Sequence, residues 1–327
     1  MINLLTYTQY KYGVKNINYI NVTFTTQRNN INLTSELCGS DPVPGNIKYL
    51  YTFDWKIICK ENDIIDISLN FNIGHLKYYN MEKNKFEGID GIYWINLDRS
   101  KDRKKQFDFI NNSLFDLNIP ITRISAIDGK NINMQDTIVN YNNLIKNNMS
   151  LSEIGCLLSH LKILYEISLQ KGEYFLVLED DADICNMKYI TTLKDIIKDA
   201  PDFDILLLYK ITTKEINFDL YSKFYINNEI YGTLAYIVKK KNIKKLLDLF
   251  EYRNGKFKFK TNYISPSDGY IYENTNTYIY KYNIIIQNCK ESTLHNEHLD
   301  FHNKSIKLNN QILLSNLNNG IIKELYK

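Results

Sequence analysis

Four carboxylates occupy five consecutive positions, Glu179-Asp180-Asp181-Ala182-Asp183. They follow directly on Tyr174-Phe-Leu-Val-Leu178, an apolar run of the kind that forms a buried strand. Like charges this close repel, so the cluster needs a cation or several hydrogen-bond donors to hold it. Hard divalent ions with oxygen ligands are the natural partner. Mg2+ or Mn2+ held by one or two carboxylates also keeps positions for phosphate oxygens. The Asp181-Ala-Asp183 spacing is the D-x-D arrangement of enzymes that use nucleotide sugars. A bare D-x-D is common by chance, and the competing reading is an exposed acidic turn. Placement at the end of a buried strand favours the metal and the nucleotide.

The surrounding elements say where such chemistry would sit. Ile92-Tyr-Trp-Ile-Asn-Leu97 reads as a short buried strand. Residues 100–117 carry helical spacing in Phe107, Ile110, Leu114 and Leu117 and stop before Pro120. Residues 121–127 read as a second strand, ended by Asp128-Gly129. Ser150-Leu-Ser-Glu153 matches a capping box. Behind it Ile154, Leu157, Leu158, Leu161 and Leu164 repeat at helix spacing, and Gly172 ends the helix. A helix near 189–199, strands at 205–209 and 234–238, and a helix over 240–251 follow. This alternation predicts an α/β sheet with a large parallel component. Such sheets bind ligands beyond the carboxyl ends of their strands. The first 88 residues read differently. Short β-type runs at 19–24, 47–53 and 64–69, with the turn cluster Gly39-Ser-Asp-Pro-Val-Pro-Gly45, predict a small all-β module.

Composition excludes several classes. The chain has 327 residues, with 40 Lys+Arg against 37 Asp+Glu. A net charge of +3 is far from the basic excess of a nucleic-acid binder. The lysines between 239 and 245 read as the solvated face of a helix. The five cysteines are scattered, with no C-x-x-C, which fits free thiols in a reducing compartment. The N-terminus lacks the basic and apolar regions of a signal peptide. No apolar run approaches the ~18 residues of a membrane span. The expectation is a soluble, intracellular protein. A kinase or ATPase is excluded by the lack of a Gly-rich phosphate loop. Asn, Ile, Lys and 26 Tyr dominate while alanine is scarce, a coding bias that makes Asn weak evidence for loops.

Further segments fall into register with a known family. Ile95-Asn-Leu-Asp-Arg-Ser-Lys-Asp-Arg103 looks like its opening I-N-L-x-R-x-x-x-R segment, and Ile124-Ser-Ala-Ile-Asp-Gly129 like its A-x-D-G step. Leu151-Ser-Glu-Ile-Gly-Cys-Leu-Leu-Ser-His160 looks like E-x-G-C-x-x-S-H, and Leu176-Val-Leu-Glu-Asp-Asp181 like L-E-D-D. Asp204-Ile-Leu-Leu-Leu208, Tyr231-Gly-Thr-Leu-Ala-Tyr-Ile237 and Ser265-Pro-Ser-Asp268 continue the order. Over about residues 90–290 the chain resembles glycosyltransferase family 25, the lipooligosaccharide and collagen β-galactosyltransferases. More faintly, Tyr12-Gly13, Asn21-Val-Thr23, the 39–45 turn and Lys48-Tyr-Leu50 resemble the β domain at the C-terminus of DnaJ-homologue subfamily C member 11 proteins.

The resemblance implies a GT-A-like, Rossmann-like α/β domain over 89–293, after an all-β module over 1–88 and before a partly helical tail over 294–327. It implies inverting transfer of a hexose, galactose first and glucose second, from a UDP-sugar to a hydroxyl. The acceptor is a glycan or a protein, collagen-like ones included, and Mn2+ or Mg2+ is the metal. Asp181 and Asp183 are the expected metal ligands. Many members lack the acid at Asp183, so Glu179-x-Asp181 stays open as the working pair. Asn96, Arg99, Arg103, Asp128, Gly129, Glu153, Ser159, His160, Glu179, Asp180 and Gly232 are expected at the donor, with guanidinium groups suited to phosphate. Each has a plainer alternative: Arg103 as a solvated helix residue, Glu153 as the capping partner, Ser159 and His160 as hydrogen-bonded core. Gly155 costs a helix up to ~1 kcal/mol, which points to tight packing or a ligand against it. Cys156 and His160, spaced i,i+4, lack a third metal ligand nearby in sequence. Asp268 is the candidate base, or else an N-cap. His295, His298 and His302 can share a helix face, as a zinc trio or with one as an extra Mn2+ ligand. The competing function is an inactive, transferase-like binding protein acting through its β module.

Overall fold

The computed structural model describes residues 85–105, 119–131, 133–184, 186–187, 190, 192–214, 219–225, 229–287 and 299–313 with their side chains. It describes the backbone of 314–318 and of seven strands between Tyr10 and Lys77 as well. The chain divides into two compact units, Met1–Asn84 and Lys85–Lys327.

The first unit contains β1 (Tyr10–Val14), β2 (Asn18–Thr25), β3 (Asn29–Asn32), β4 (Tyr49–Tyr51), β5 (Ile57–Lys60), β6 (Ile64–Ile67) and β7 (Asn70–Lys77). Five of them form an antiparallel sheet in the order β5-β4-β1-β2-β7, and β3 pairs with β6. The turn cluster at 39–45 lies outside the described residues.

The second unit is a mixed α/β domain. Its strands begin with β8 (Gly91–Asn96), β9 (Ile121–Ser125), β10 (Tyr174–Glu179) and β11 (Ala182–Asp183). They continue with β12 (Ile205–Leu207), β13 (Tyr221–Lys223), β14 (Ala235–Lys239), β15 (Phe250–Arg253) and β16 (Lys256–Phe259). The last two are β17 (Thr277–Tyr280) and β18 (Ile286–Gln287). The main helices are α1 (Leu151–Ser168), α2 (Leu193–Asp199), α3 (Ser267–Glu273) and α4 (Leu299–Asn318). Seven strands make the central sheet, in the order β13-β17-β12-β14-β10-β8-β9. β9, β8 and β10 run parallel, as do β12 and β17, while β14 lies antiparallel between β10 and β12.

Every residue of β8 is buried, as in a strand covered on both faces. α1 lays Ile154, Leu157, Leu158, Leu161 and Leu164 into the same core as Tyr93 and Val177. Each fully buried leucine contributes about 1.5–3 kcal/mol relative to exposure. From β8 the chain goes to β9 on one side, then through α1 back to β10 on the other. That reversal of direction opens a crevice over the carboxyl end of β8.

Two predicted elements change. The helix over 240–251 is only a 3-10 turn, Lys240–Asn242, and one α turn, Lys244–Leu247. The chain then enters the β15–β16 hairpin, where buried and exposed residues nearly alternate. Its turn, Asn254-Gly255, has φ of 53° and 76°, the left-handed geometry that tight hairpins demand. Period-two burial of Phe250, Phe257 and Phe259 overrides the helical spacing of Ile243, Leu246 and Leu247. The helix near 189–199 begins only at Leu193, where the Thr192 side chain accepts from Asp195 N. Of the 100–117 helix, residues 101–105 are helical, while Phe107, Ile110, Leu114 and Leu117 lie outside the described residues. Among the described residues, no helix is long and apolar enough to cross a membrane.

Candidate active site

A cavity of about 860 Å³ opens over the carboxyl ends of β8, β9 and β10. All the residues predicted for the site line it except Asp183. Asp183 sits half-buried in β11, held in register with Ile286 of β18. The short β11–β18 ladder carries it off the cavity wall, so Glu179-x-Asp181 is the acidic pair that faces the space.

The β8 and β10 ends hold the acids. Asn96, the last residue of β8, is buried and donates from Nδ2 to Asp180 Oδ2 at 2.6 Å. Arg123 donates from Nε and Nη2 to Asn96 Oδ1 at 3.1 and 2.8 Å, which fixes the amide's direction. Arg103 donates to Asp180 Oδ1 at 2.9 Å and lies 3.6 Å from Asp181 Oδ2. Both Asp180 oxygens are therefore engaged. Burial still pushes its carboxyl up, against the pull of Arg103 and Asn96.

Asp181 differs. Its Oδ2 accepts from Gln287 Nε2 at 3.1 Å, whereas Oδ1 is buried with no hydrogen-bond partner among the described residues. Burial first, and then the Glu179 charge, push Asp181 up to about 6. Glu179 goes the other way. Burial opposes its charge, but bonds from His160 Nε2 at 3.3 Å and Thr233 Oγ1 at 2.7 Å hold it below the usual carboxylate range.

The loop after β9 rests on α1 like a shelf. Ser159 Oγ donates to Gly155 O at 2.6 Å and accepts from Ile127 N at 2.8 Å. A Cβ on Gly129 would lie 1.8 Å from Leu151 O, and one on Gly155 2.5 Å from Ile127 O. Gly129, expected at the donor, thus presses its backbone against that of the helix. Arg99 Nε donates to Asp128 Oδ2 at 2.6 Å, and this bond holds Asp128 below the usual range. The capping box is present: Ser150 N donates to Glu153 Oε2 at 2.7 Å and Glu153 N to Ser150 Oγ at 3.2 Å.

The third wall precedes β14 and begins α3. Gly232, at φ 99°, donates its N–H to Asp268 Oδ2 at 3.0 Å, and Gly269 N donates to Oδ1 at 2.9 Å. The N-cap of α3 is Pro266, so Asp268 is not the cap. His160 Nδ1 meets Tyr236 OH at 2.9 Å. Cys156, His160 and Glu179 bring potential ligand atoms within 4.8 Å of one another, so β10 supplies the third group that neighbouring sequence lacks. Burial raises the Cys156 thiol well above its ordinary range, which leaves it inert as a nucleophile.

Tyr209, Thr233, Gln287 and His302 line the cavity and Arg123 supports Asn96 from behind, none of them expected at the donor from the sequence. Only His302 had been singled out, and as a metal ligand. It and Phe301 reach the cavity from α4, while His295 and His298 lie outside the described residues.

Comparison with known proteins matches the same segment. A model of glycosyltransferase family 25 (LPS biosynthesis protein) matches residues 89–271. The chain is 29% identical over 177 residues to human procollagen galactosyltransferase 2, covering 49% of this chain and 28% of that protein. The mouse procollagen galactosyltransferase 2 is 29% identical over 132 residues, 37% of this chain and 21% of that protein. A glycosyltransferase 25 family member of Aedes aegypti is 25% identical over 178 residues, 49% of this chain and 28% of that protein. The chain thus matches between about a fifth and little more than a quarter of these relatives' length. Since the family match runs over more than half of the chain and ends its first strands in the cavity described above, the chain belongs to glycosyltransferase family 25.

Proposed function

We propose that this domain is a metal-dependent, inverting hexosyltransferase of GT-A type that uses a UDP-sugar, UDP-galactose before UDP-glucose. The single observation that carries the reading is Asp181 Oδ1, a buried carboxylate oxygen without a partner among the described residues, in a cavity large enough for a nucleotide sugar. Buried polar atoms are nearly always satisfied, and an unsatisfied carboxylate oxygen on a cavity wall is one that a ligand can meet. The donor set fits a hard cation: Asp181 offers a free oxygen and Glu179 a carboxylate from the same strand end. Mn2+ or Mg2+ bound there would offset charge on the leaving diphosphate. Asp183, off the cavity, is left out of that ligand set.

The chain's own groups divide the remaining work. Arg99, ion-paired to Asp128 yet 43% exposed in its side chain, offers its remaining guanidinium N–H groups to phosphate, while Arg103 and Asn96 hold Asp180. Asp268, its oxygens fixed by Gly232 and Gly269, accepts the proton of the acceptor hydroxyl. As that oxygen bonds to the anomeric carbon from one face, the bond to the diphosphate oxygen breaks on the other, and UDP leaves. The names of the matched relatives favour galactose as the sugar and put a collagen-like protein among the acceptors to try. The N-terminal unit is carried as a small β domain of the DnaJ-homologue type, outside this chemistry.

The test is a panel of UDP-sugars with Mn2+, scored for transfer and for hydrolysis without acceptor. UDP-galactose should turn over fastest, and Asp268→Asn should lower turnover by roughly 10²–10⁴-fold. A wild-type chain that turns over no UDP-sugar and gains no thermal stability from UDP with Mn2+ would sink this reading. The binding-module alternative would then stand.

A further inference from the structure

We infer that Gln287 is a positioning residue for Asp181, and that His302 and Tyr209 set its direction. The inference rests on the reading of Asp181 as the cation's carboxylate. A glutamine side chain has one accepting end and one donating end, and its orientation follows from its partners. Here the accepting end is doubly occupied. Tyr209 OH donates to Gln287 Oε1 at 3.2 Å, and His302 Nδ1 lies 2.9 Å from the same oxygen. That leaves Nε2 to donate to Asp181 Oδ2 at 3.1 Å. A reversed amide would set its oxygen against the carboxylate, two acceptors face to face. With Oδ2 so engaged, the orphaned buried oxygen of Asp181 is Oδ1.

The backbone supports this direction. Gln287 stands opposite Ala182 in the β11–β18 pair, one residue from Asp181. The three side chains come from three places: the end of β12, β18 and α4. Gln287 and His302 also lie beyond the segment matched by the family, residues 89–271. Because Gln287 Oε1 accepts, the His302 ring carries its proton on Nδ1 and acts through Gln287 rather than as a cation ligand. Groups that hold a metal ligand from behind typically change metal affinity 10–100-fold when removed.

The test measures Mn2+ binding rather than turnover, on the full chain with UDP present, from the paramagnetic signal of free Mn2+. Gln287→Ala is expected to weaken binding by roughly 10-fold or more. Gln287→Met, close in shape but without the donor, should do the same, and guards against a packing defect in the alanine variant. The histidine separates the directions. In His302→Asn the amide nitrogen stands where Nδ1 was, so binding should stay near wild type. In His302→Gln the nitrogen stands where Nε2 was, and binding should weaken several-fold. Tyr209→Phe should weaken it least. Melting without Mn2+ checks that each variant folds. Unchanged binding in both Gln287 variants overturns the inference. Equal loss in His302→Asn and His302→Gln overturns the role of Nδ1. A wild type that binds no Mn2+ refutes the cation reading itself, a result distinct from both.

Discussion

The loops that follow β9 and β10 reach the same cavity and are built on opposite terms. After β9, the polar contacts of Asp128 and Ser159 run to the protein's own groups. Ser159 bridges helix and loop, Asp128 holds Arg99, and two glycines let backbone touch backbone. After β10, three carboxylates crowd the cavity wall, and one keeps an oxygen without a partner. An unmet carboxylate oxygen at a cavity wall is one that a bound ligand can satisfy. On the proposed reading the first loop is scaffold and the second carries the chemistry, although both come from strand ends of the same parallel trio.

The largest test of that contrast is Asp181→Asn. Activity should fall by roughly 10³-fold, the scale of a lost charge-stabilising group. Stability without metal should move the other way. Burial and the Glu179 charge raise Asp181 from its ordinary 3.8 to about 6 in the folded protein. The fold therefore prefers the protonated form and loses stability as pH climbs through that window, by up to about 3 kcal/mol at neutral pH. Asparagine removes this loss. The variant should melt higher than wild type near pH ~8 and about level with it near pH ~3, below the window. A gain independent of pH would break the comparison.

Gly155→Ala probes the shelf. A Cβ 2.5 Å from Ile127 O forces the loop off the helix, at about 1–3 kcal/mol, although alanine favours a helix by up to ~1 kcal/mol. Urea unfolding should show the loss. A variant that keeps wild-type stability yet no longer binds UDP would mean the shelf contacts the donor through that glycine, and the division between scaffold and chemistry would fail. Ser150→Ala should cost about 1 kcal/mol through the cap and leave turnover by the folded protein unchanged.

Sequence revealed most where chemistry and local geometry coincide. Glu179 to Asp181 form a dense charge pattern after an apolar run, and the capping box is a four-residue signal, so both could be read directly. Gly155 was legible as a cost without a stated beneficiary; the structure supplies Ile127 O. What escaped depends on long-range placement. Nothing local marks Gln287, whose oxygen meets Tyr209 and His302 only in the folded chain. Glu179 completes the group around Cys156 and His160 only after β10 folds beside α1. The hairpin at 250–259 is a different failure. Asn254-Gly255 between alternating aromatics is a strong hairpin signal, but the lysine-rich helical spacing just before it was extended too far.

The single reversed strand between β10 and β12 gives the rim of the cavity two kinds of edge. β8, β9 and β10 leave the sheet there, whereas β14 enters it, so Leu234 O meets Glu179 N at the rim and the Gly232 N–H turns toward Asp268. An outgoing trio thus brings mostly anions and an incoming strand brings an amide to restrain the opposing acid. The connection from β13 into β14 lines the mouth with Glu229, Tyr231 and Gly232, while Phe224 and Ile230 anchor it in the core. Near its end, Gly232 and Thr233 hold Asp268 and Glu179, so a change of length here would reshape the mouth and shift two of its acids together.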